Sequence, residues 1–272
     1  MEFSKLHGCG NSFVIIDDRR ERIKNPAKLA QVITSLQFGI GADGLILARR
    51  SKRHDIRMDY WNSDGSVAEM CGNGIRCLAK FLIDHKIVRQ RAMTIETLAG
   101  PIKAQVSSTR GAVTSVTVDM GLPAFRSADI VAKRSPITDL QIGGKSYTFV
   151  SMGNPHAVTF VDSLEFDPAP IGRRVELTAR IFPNRVNVGF AQIRSSREIR
   201  LRVWERGCGL TQACGTGACA AVVAATLHGK VQKSPIKVVV DGGTLQVRWD
   251  QKNGRVSMTG PATLVATGEL AL

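Results

Sequence analysis

Hydrophobic and polar positions along the 272-residue chain form short strand-like stretches and two helix-like segments. Apolar-rich stretches predict strands at residues 13–16, 56–61, 157–161 and 199–204, and alternating apolar positions predict two more around 102–106 and 245–249. Helices are predicted at residues 75–84 and 218–228. The second helix is apolar on almost every side, which is typical of a helix buried within its domain.

The predicted elements recur at one fixed spacing. Gly10-Asn11 returns as Gly153-Asn154, and C-G-N-G at residues 71–74 returns as C-G-T-G at 214–217. Both matches have the same offset in the numbering (154 − 11 = 214 − 71 = 143), and no gap is needed between them. The chain is therefore predicted to be an internal duplication.

The duplication predicts two domains and a fold class. The N-terminal half spans residues 1–118 and the C-terminal half spans 119–261, while the sequence leaves open whether 262–272 complete the first half. Many short strands around one buried helix per half favour an α+β fold. We expect two pseudo-symmetric domains, each a mixed, mostly antiparallel, barrel-like sheet wrapped around a central helix.

Composition and charge narrow the classes of function. Hydrophobic residues make up 43% of the chain, which is ordinary for a globular protein. The net charge is +14, but the basic residues are scattered and aromatic residues make up only 6%, so we expect no nucleic-acid partner. The longest apolar run, 218–227, is about half of what a membrane helix needs. With no signal peptide recognised, we expect a cytoplasmic protein that does not bind membranes.

Six cysteines are present, and in a cytoplasmic chain they are expected to be thiols. Their spacing does not match paired zinc ligands, so no metal site is predicted. Cys77 and Cys219 lie inside apolar helices and are interpreted as structural, as are Cys9 and Cys208.

Cys71 and Cys214 differ from the other four because each directly precedes a predicted helix. Unpaired N–H groups and the helix dipole should lower the pKa of a thiol there, and the same N–H groups can bind a carboxylate. Two such motifs suggest one site at the interface of the halves. A thiolate and a thiol on opposite faces of an α-carbon could invert it by removing one proton and delivering another.

Five segments resemble the diaminopimelate epimerase family. N-S-D-G-S-V-A-E-M-C-G-N-G-I-R at residues 62–76 and W-E-R-G-C-G-L-T-Q-A-C-G-T-G at 204–217 resemble its two active-site signatures, and further matches lie at 5–13, 153–156 and 185–190. The resemblance implies an isomerase that interconverts LL- and meso-diaminopimelate in lysine and peptidoglycan-precursor synthesis. It also implies that no pyridoxal phosphate, metal or other cofactor takes part. A homodimer is the expected assembly.

The resemblance also implies roles for individual residues. Cys71 and Cys214 match the catalytic acid/bases, while His156 and Glu205 match residues that tune the cysteines. The substrate-binding set comprises Asn11, Asn62, Gly72, Asn73, Asn154, Asn187, Glu205, Arg206, Gly215 and Thr216. Asn11 and Asn154 could instead be turn residues, and His156 a structural histidine.

Three alternative functions stay open. A proline or hydroxyproline racemase shares the two-cysteine logic, but there a histidine commonly follows the first Cys-Gly, where this chain has Asn73. A thiol redox switch and an anion-binding module are the alternatives outside that class. The chain departs from the family at Gly44, where glutamine is frequent, and at Leu210, where an acidic residue is frequent.

Overall fold

The computed structural model describes residues 1–126, 130, 138–232 and 234–271. The chain divides into two compact units, Met1–Asp119 with Thr259–Leu272 and Met120–Met258. Residues 127–129, 131–137, 233 and 272 fall inside the predicted domain bounds but lie outside the described residues.

The described residues form four helices and eighteen strands. The helices are α1 (Pro26–Ile33), α2 (Gly72–Asp84), α3 (Ala169–Glu176) and α4 (Gly215–Leu227). The strands are β1 (Glu2–Gly8), β2 (Asn11–Asp17), β3 (Gly44–Arg49), β4 (Ile56–Asn62), β5 (Val67–Ala68), β6 (Ala92–Thr97), β7 (Gly100–Thr109), β8 (Ala112–Gly121), β9 (Leu140–Ile142), β10 (Lys145–Ser151), β11 (Pro155–Phe160), β12 (Asn187–Ser195), β13 (Glu198–Glu205), β14 (Gly209–Thr211), β15 (Ile236–Val240), β16 (Gly243–Trp249), β17 (Val256–Gly260) and β18 (Thr263–Glu269).

The first unit has a mixed, mostly antiparallel sheet. The order of neighbouring strands is β18, β1, β2, β3, β4, β6, β7 and β8. Strands β5 and β6 pair with the same edge of β4, β6 near its first residues and β5 near its last. Only β2–β3 and β4–β6 are parallel among these pairs. Helix α2 packs against β1, β2, β3 and β7, so strands from distant parts of this sheet surround one helix.

The second unit repeats this arrangement. Its order is β9, β10, β11, β12, β13, β15 and β16, with β14 beside β13, and the parallel pairs β11–β12 and β13–β15 match those of the first unit. Helix α4 packs against β10–β13, β15 and β16. The α+β prediction of two related sheets around central helices is confirmed.

Helices α1 and α3 were not predicted, although their first residues are related by the same offset as the cysteines (169 − 26 = 214 − 71). Each has eight residues and packs against the outer surface of its own sheet, α1 on β3 and β4 and α3 on β12–β14. Eight residues are about two helical turns, too few for a clear 3.6-residue pattern.

The two central helices begin earlier than predicted. Helix α2 starts at Gly72 and α4 at Gly215, three residues before the predicted starts. Glycine normally disfavours a helix interior, so the glycine pairs predicted a turn. In the first turn, however, the N–H groups have no partner within the helix, so glycine is tolerated there better than in the helix interior. No helix within the described residues is long and apolar enough to cross a membrane.

The C-terminal ends of the central helices are also held alike. His85 follows α2 and its Nε2 lies 3.1 Å from the Ser4 hydroxyl of β1. His228 follows α4 and its Nε2 lies 2.8 Å from the Thr148 hydroxyl of β10. Each unit therefore ties the end of its central helix to the same strand of its sheet.

Gly44 begins β3, where the backbone of β4 approaches closely. A Cβ added there would lie 2.6 Å from the carbonyl oxygen of Trp61 and 2.5 Å from the Tyr60 ring. Both distances are shorter than real Cβ contacts, so a side chain at this position forces the strands apart. Gly44 is thus required by packing in this chain.

We predict that Gly44→Ala lowers the free energy of unfolding by about 2 kcal/mol, because the added methyl group overpacks the β3–β4 pair. Urea denaturation followed by circular dichroism measures the change. Gly189→Ala in β12 is the matched control, since its Cβ would lie 3.5 Å or more from its neighbours. Equal destabilisation by both substitutions would contradict this account.

Candidate active site

Cys71 and Cys214 occupy the same position in their units, directly before the first residue of a central helix. Both have extended backbone angles, φ −141° and −116°, as N-cap residues do. Ile75 N–H bonds to the Cys71 carbonyl and Ala218 N–H to the Cys214 carbonyl, so each cysteine closes the first helical turn. The predicted placement of both thiols at helix starts is confirmed.

The last glycine of each C-G-x-G segment lets the start of the helix lie close against the sheet. A Cβ at Gly217 would lie 3.0 Å from Val203 and 3.3 Å from the Cys214 Sγ. A Cβ at Gly74 would lie 3.0 Å from Ile46 and 3.6 Å from the Cys71 Cβ. A side chain at either glycine would press on the sheet, and at Gly217 it would also press on the Cys214 side chain.

Asn11 contacts two other predicted site residues in the first unit. Its Oδ1 accepts from the Cys71 Sγ at 3.6 Å and from the Asn73 Nδ2 at 3.2 Å. Asn73 is buried in the first turn of α2, whereas the Cys71 side chain is partly exposed. Asn11 therefore contacts the thiol directly and is more than a turn residue.

Asp43 fixes the orientation of the Asn11 amide, and the sequence did not single it out. Its Oδ2 accepts from the Asn11 Nδ2 at 3.1 Å, from the Ser12 N–H at 2.7 Å and from the Ser12 hydroxyl at 3.2 Å. Because the Asn11 nitrogen donates to Asp43, its oxygen faces Cys71. No local motif reveals this contact, since 32 residues separate the partners.

Asn62 ends β4 but makes its described side-chain contact elsewhere. Its Nδ2 donates to the Ser66 hydroxyl at 3.0 Å, and its backbone N–H donates to the Ser66 carbonyl. These bonds shape the turn before β5. The predicted residues Asn11, Cys71 and Asn73 thus form one group, whereas the Asn62 side chain bonds to Ser66.

The Cys214 thiol contacts the carboxylate of Glu205, whereas the Cys71 thiol contacts the amide of Asn11. Its Sγ donates to the Glu205 Oε2 at 3.1 Å and lies 3.5 Å from the Thr216 hydroxyl. The other oxygen of Glu205 accepts from the Thr211 hydroxyl at 2.6 Å. Thr211 was missed by sequence reasoning, because a hydroxyl three residues before a cysteine carries no distinctive signal.

The pKa of Cys214 is raised well above its ordinary value, contrary to the sequence-based expectation. Burial is the largest cause and the negative charge of Glu205 is the next. Hydrogen bonds from the Thr216 hydroxyl and the Gly217 N–H act in the opposite direction but do not compensate. The helix start therefore helps the thiolate, yet burial beside a carboxylate outweighs it, and Cys214 rests as a thiol.

Asn187 joins Arg206 to the neighbouring strand. The Asn187 Oδ1 accepts from the Arg206 N–H at 2.9 Å, and its Nδ2 donates to the Pro155 carbonyl at 3.0 Å. The Arg206 guanidinium donates to the Asn184 carbonyl at 3.1 Å. Arg206 directly follows Glu205 in sequence, so these bonds hold the segment that carries the partner of Cys214.

His156 is fully buried in β11 and pairs in register with Asn187 of β12. Its Nε2 lies 3.1 Å from the Asn154 Oδ1. Burial, followed by the positive charge of Arg206, lowers the pKa of His156 to about 3, so the ring is neutral at neutral pH. His156, Asn154, Asn187 and Arg206 form one linked group, and the described contacts of His156 do not include Cys214.

All six cysteines are thiols in the described residues. Within the part of the chain that the structure describes, no three histidine, cysteine or acidic side chains are arranged to hold a metal ion.

Comparisons with a family model and with individual relatives point to the same family. The model of the family described as diaminopimelate epimerase matches residues 3–125 and 148–265. A diaminopimelate epimerase of Geobacillus thermodenitrificans is 47% identical over 278 aligned residues, which cover 98% of this chain and 95% of the relative. A diaminopimelate epimerase of Bacteroides thetaiotaomicron is 42% identical, with coverage of 99% and 98%.

Solved structures show the same fold at low sequence identity. A phenazine biosynthesis protein of the PhzF family from Bacillus anthracis has a TM-score of 0.74 at 17% identity, covering 100% of this chain and 99% of that one. A probable proline racemase from Agrobacterium radiobacter has a TM-score of 0.72 at 17% identity, covering 100% and 93%. At this level of identity, the likeness establishes only the fold.

We predict that Glu205→Gln shifts the pH dependence of Cys214 alkylation by iodoacetamide to lower pH. Removing the carboxylate charge stabilises the thiolate and so lowers the thiol pKa. Rates of labelling of the Cys214 peptide, followed by mass spectrometry across a pH series, measure the shift. Glu165→Gln, an exposed position in the same unit, is the control and should leave the curve unchanged. An unshifted curve in Glu205→Gln would refute the electrostatic assignment.

Proposed function

The chain belongs to the diaminopimelate epimerase family, and from this premise we propose that it interconverts LL- and meso-diaminopimelate by proton transfer between Cys71 and Cys214. The enzyme is an isomerase. One observation carries the mechanistic part: two thiols occupy the same N-cap position of duplicated helices, and each lies within hydrogen-bonding distance of its own polar partner.

In the proposed reaction the two thiols act on opposite faces of one α-carbon. A thiolate takes the α-proton and becomes a thiol, while the other thiol delivers its proton to the opposite face and becomes a thiolate. The reverse reaction exchanges the two roles. No proton is gained or lost overall, and no added cofactor is part of this proposal.

The different environments of the two thiols suggest which of them acts first. The Cys214 pKa is raised by burial and by Glu205, which suits Cys214 as the thiol acid. The Cys71 side chain is partly exposed and faces the neutral amide of Asn11. We therefore assign the first proton abstraction in the resting enzyme to Cys71.

The helix starts supply electrostatic stabilisation in this proposal. When the α-proton leaves, negative charge spreads into the adjacent carboxylate. First-turn N–H groups of Gly72 and Asn73, and of Gly215 and Thr216, carry the partial positive charge of the helix dipole and suit that carboxylate. Donors aimed at a charge that develops during the reaction lower the barrier without reorganising.

The remaining polar residues suit the rest of the substrate. The Arg206 guanidinium offers two donors to a distal carboxylate. Asn62, Asn154 and Asn187 offer amide groups, and Glu205 suits an ammonium group. In this proposal His156, which is neutral and bonded to Asn154, holds Asn154 in place and tunes the acidity of the cysteines.

We also propose that the two units serve as the domains of the enzyme and that it works in the cytoplasm, since six thiols suit a reducing compartment. Diaminopimelate is the proposed partner, with neither nucleic acid nor membrane as a ligand. The scattered basic charge then serves solubility and the attraction of an anionic metabolite.

The reaction is tested by incubation with LL-diaminopimelate in heavy water without added cofactor. We expect meso product carrying deuterium at the inverted α-carbon, detected by NMR and mass spectrometry. Cys71→Ser and Cys214→Ser should each lower kcat by about a thousandfold or more with unchanged circular dichroism, because a serine hydroxyl is a far weaker acid than a thiol.

Two results would count against the proposal. Near-normal turnover in either serine variant would refute the two-thiol mechanism. Deuterium exchange with proline or hydroxyproline, and none with diaminopimelate, would favour a racemase of the fold seen among the structural neighbours. Cys77→Ser is the matched control, since Cys77 lies in the interior of α2 and has no proposed role in the reaction.

We propose a homodimer as the assembled form, with β18 in the interface. Every residue of β18 is exposed in the chain, including Leu264 and Val265. Exposed apolar side chains on an ordered strand favour burial against another surface.

Light scattering on the purified chain should give twice the monomer mass, and Val265→Glu should shift the mass to that of one chain. Leu36→Glu is the control, because Leu36 is an exposed apolar residue of the same unit that lies outside β18. A monomeric wild-type chain at micromolar concentration would exclude this assembly.

A further inference from the structure

Glu176 is a buried carboxylate that ends helix α3 and has no part in the reaction proposed above. Its side chain is 6% exposed. Its Oε2 accepts from the Trp204 indole N–H at 2.7 Å and its Oε1 accepts from the Gly207 backbone N–H at 2.9 Å. The Arg185 guanidinium lies 3.5 Å from Oε1. The two hydrogen-bond donors, Trp204 and Gly207, belong to one neighbouring segment of the chain.

That segment is the hairpin that carries Glu205 and Arg206. Strand β13 ends at Glu205, β14 begins at Gly209, and these two residues pair in register. The donors to Glu176, Trp204 and Gly207, lie directly before and directly after the Glu205-Arg206 pair. Glu176 therefore holds the hairpin loop at two points that bracket the charged residues.

Close packing reinforces this attachment. A Cβ added at Gly172 of α3 would lie 2.5 Å from the Trp204 ring, so the indole lies directly on the helix backbone. Trp204 also packs against the core cluster that includes Val175 and Phe190. With the indole held by packing, its N–H has a defined direction and needs an acceptor where water is excluded.

Only a carboxylate satisfies both donors at once. An ionised carboxylate has two accepting oxygens and no hydrogen to donate. A glutamine of the same shape would keep one acceptor and turn an N–H group toward the second donor. Leaving a buried donor unsatisfied costs free energy comparable to its desolvation.

The equivalent position of the first unit shows that this carboxylate is specific to one half. Ile33 ends α1 at the offset that relates the two cysteines (176 − 33 = 214 − 71), and it is buried in an apolar cluster. There, the turn after Asn62 is held by a neutral bond from the Gln31 side chain to the Asp64 carbonyl at 2.6 Å. The half with the charged Glu205-Arg206 pair is the half with Glu176.

We infer that Glu176 is a positioning residue, which fixes the Glu205-Arg206 hairpin so that Glu205 meets Cys214 and Arg206 faces the substrate. The inference rests on the proposed function for the role of Arg206, while the Glu205–Cys214 contact is independent of it. Displacing the hairpin should weaken substrate binding and alter the acidity of Cys214 together.

The test compares wild type with Glu176→Gln. We expect KM for LL-diaminopimelate to rise about tenfold, consistent with one buried donor left unsatisfied, with a smaller change in kcat. The pH dependence of Cys214 alkylation should move to lower pH, because Glu205 no longer lies against the thiol. Glu198→Gln is the control, since Glu198 forms a half-exposed ion pair with Lys237 in the same unit.

A second variant separates positioning from loss of folding. Trp204→Phe removes the indole N–H and keeps an aromatic ring, so in the Glu176→Gln background the glutamine oxygen can accept from Gly207 alone. We expect this double variant to recover part of the KM and alkylation changes. If Glu176→Gln does not fold, the double variant, compared with Trp204→Phe alone, carries the test.

Three outcomes decide the inference. Changes in both KM and the Cys214 alkylation curve, with partial recovery in the double variant, would support it. A folded Glu176→Gln with wild-type values of both would overturn it. A lower melting temperature with an unchanged alkylation curve would also overturn it, because the role would then be structural only. Should wild type fail to epimerise diaminopimelate, the alkylation curve still tests Glu176 separately from the proposed function.

Discussion

The contact between a cysteine and the first turn of a buried helix is the constraint on which the site in each unit depends. A helix start brings unpaired N–H groups and partial positive charge to one place. Burying that end inside a sheet requires residues without side chains where the strands come close, which Gly74 and Gly217 provide. The strands around each helix then determine which polar side chains reach the thiol.

The two units use one architecture for different electrostatics. Cys71 faces an amide whose orientation is set by Asp43, whereas Cys214 faces a carboxylate. Burial and like charge near Cys214 outweigh the helix start, because desolvating a thiolate costs more than a few directed N–H groups return. A duplicated scaffold thus places its two thiols in different surroundings, a neutral amide at Cys71 and a buried carboxylate at Cys214, which suits a reaction that needs one base and one acid.

Much of this arrangement could be predicted from residues alone. The constant offset between the halves identified equivalent strands, helices and cysteines, because a duplicated gene keeps the spacing of the elements that form its core. The apolar α4 segment indicated a helix buried on most sides, and it is buried from Ala218 to Ala225. Helices α1 and α3 leave no clear signal in the sequence, since eight residues carry too little periodicity. The glycines at the starts of α2 and α4 are typical of a turn, so the sequence pattern predicts later starts for both helices.

The sequence by itself determined the duplication, the fold class, the family and the position of both thiols at helix starts, since each of these depends on local pattern or on fixed spacing. Only the tertiary structure decided which partner each thiol meets and how deeply it is buried. Asn11 lies 60 residues from Cys71 in the chain, and Glu176 lies 28 from Trp204. Hydrogen bonds and desolvation depend on distances in space, and strand pairing sets those distances without leaving a pattern near either residue.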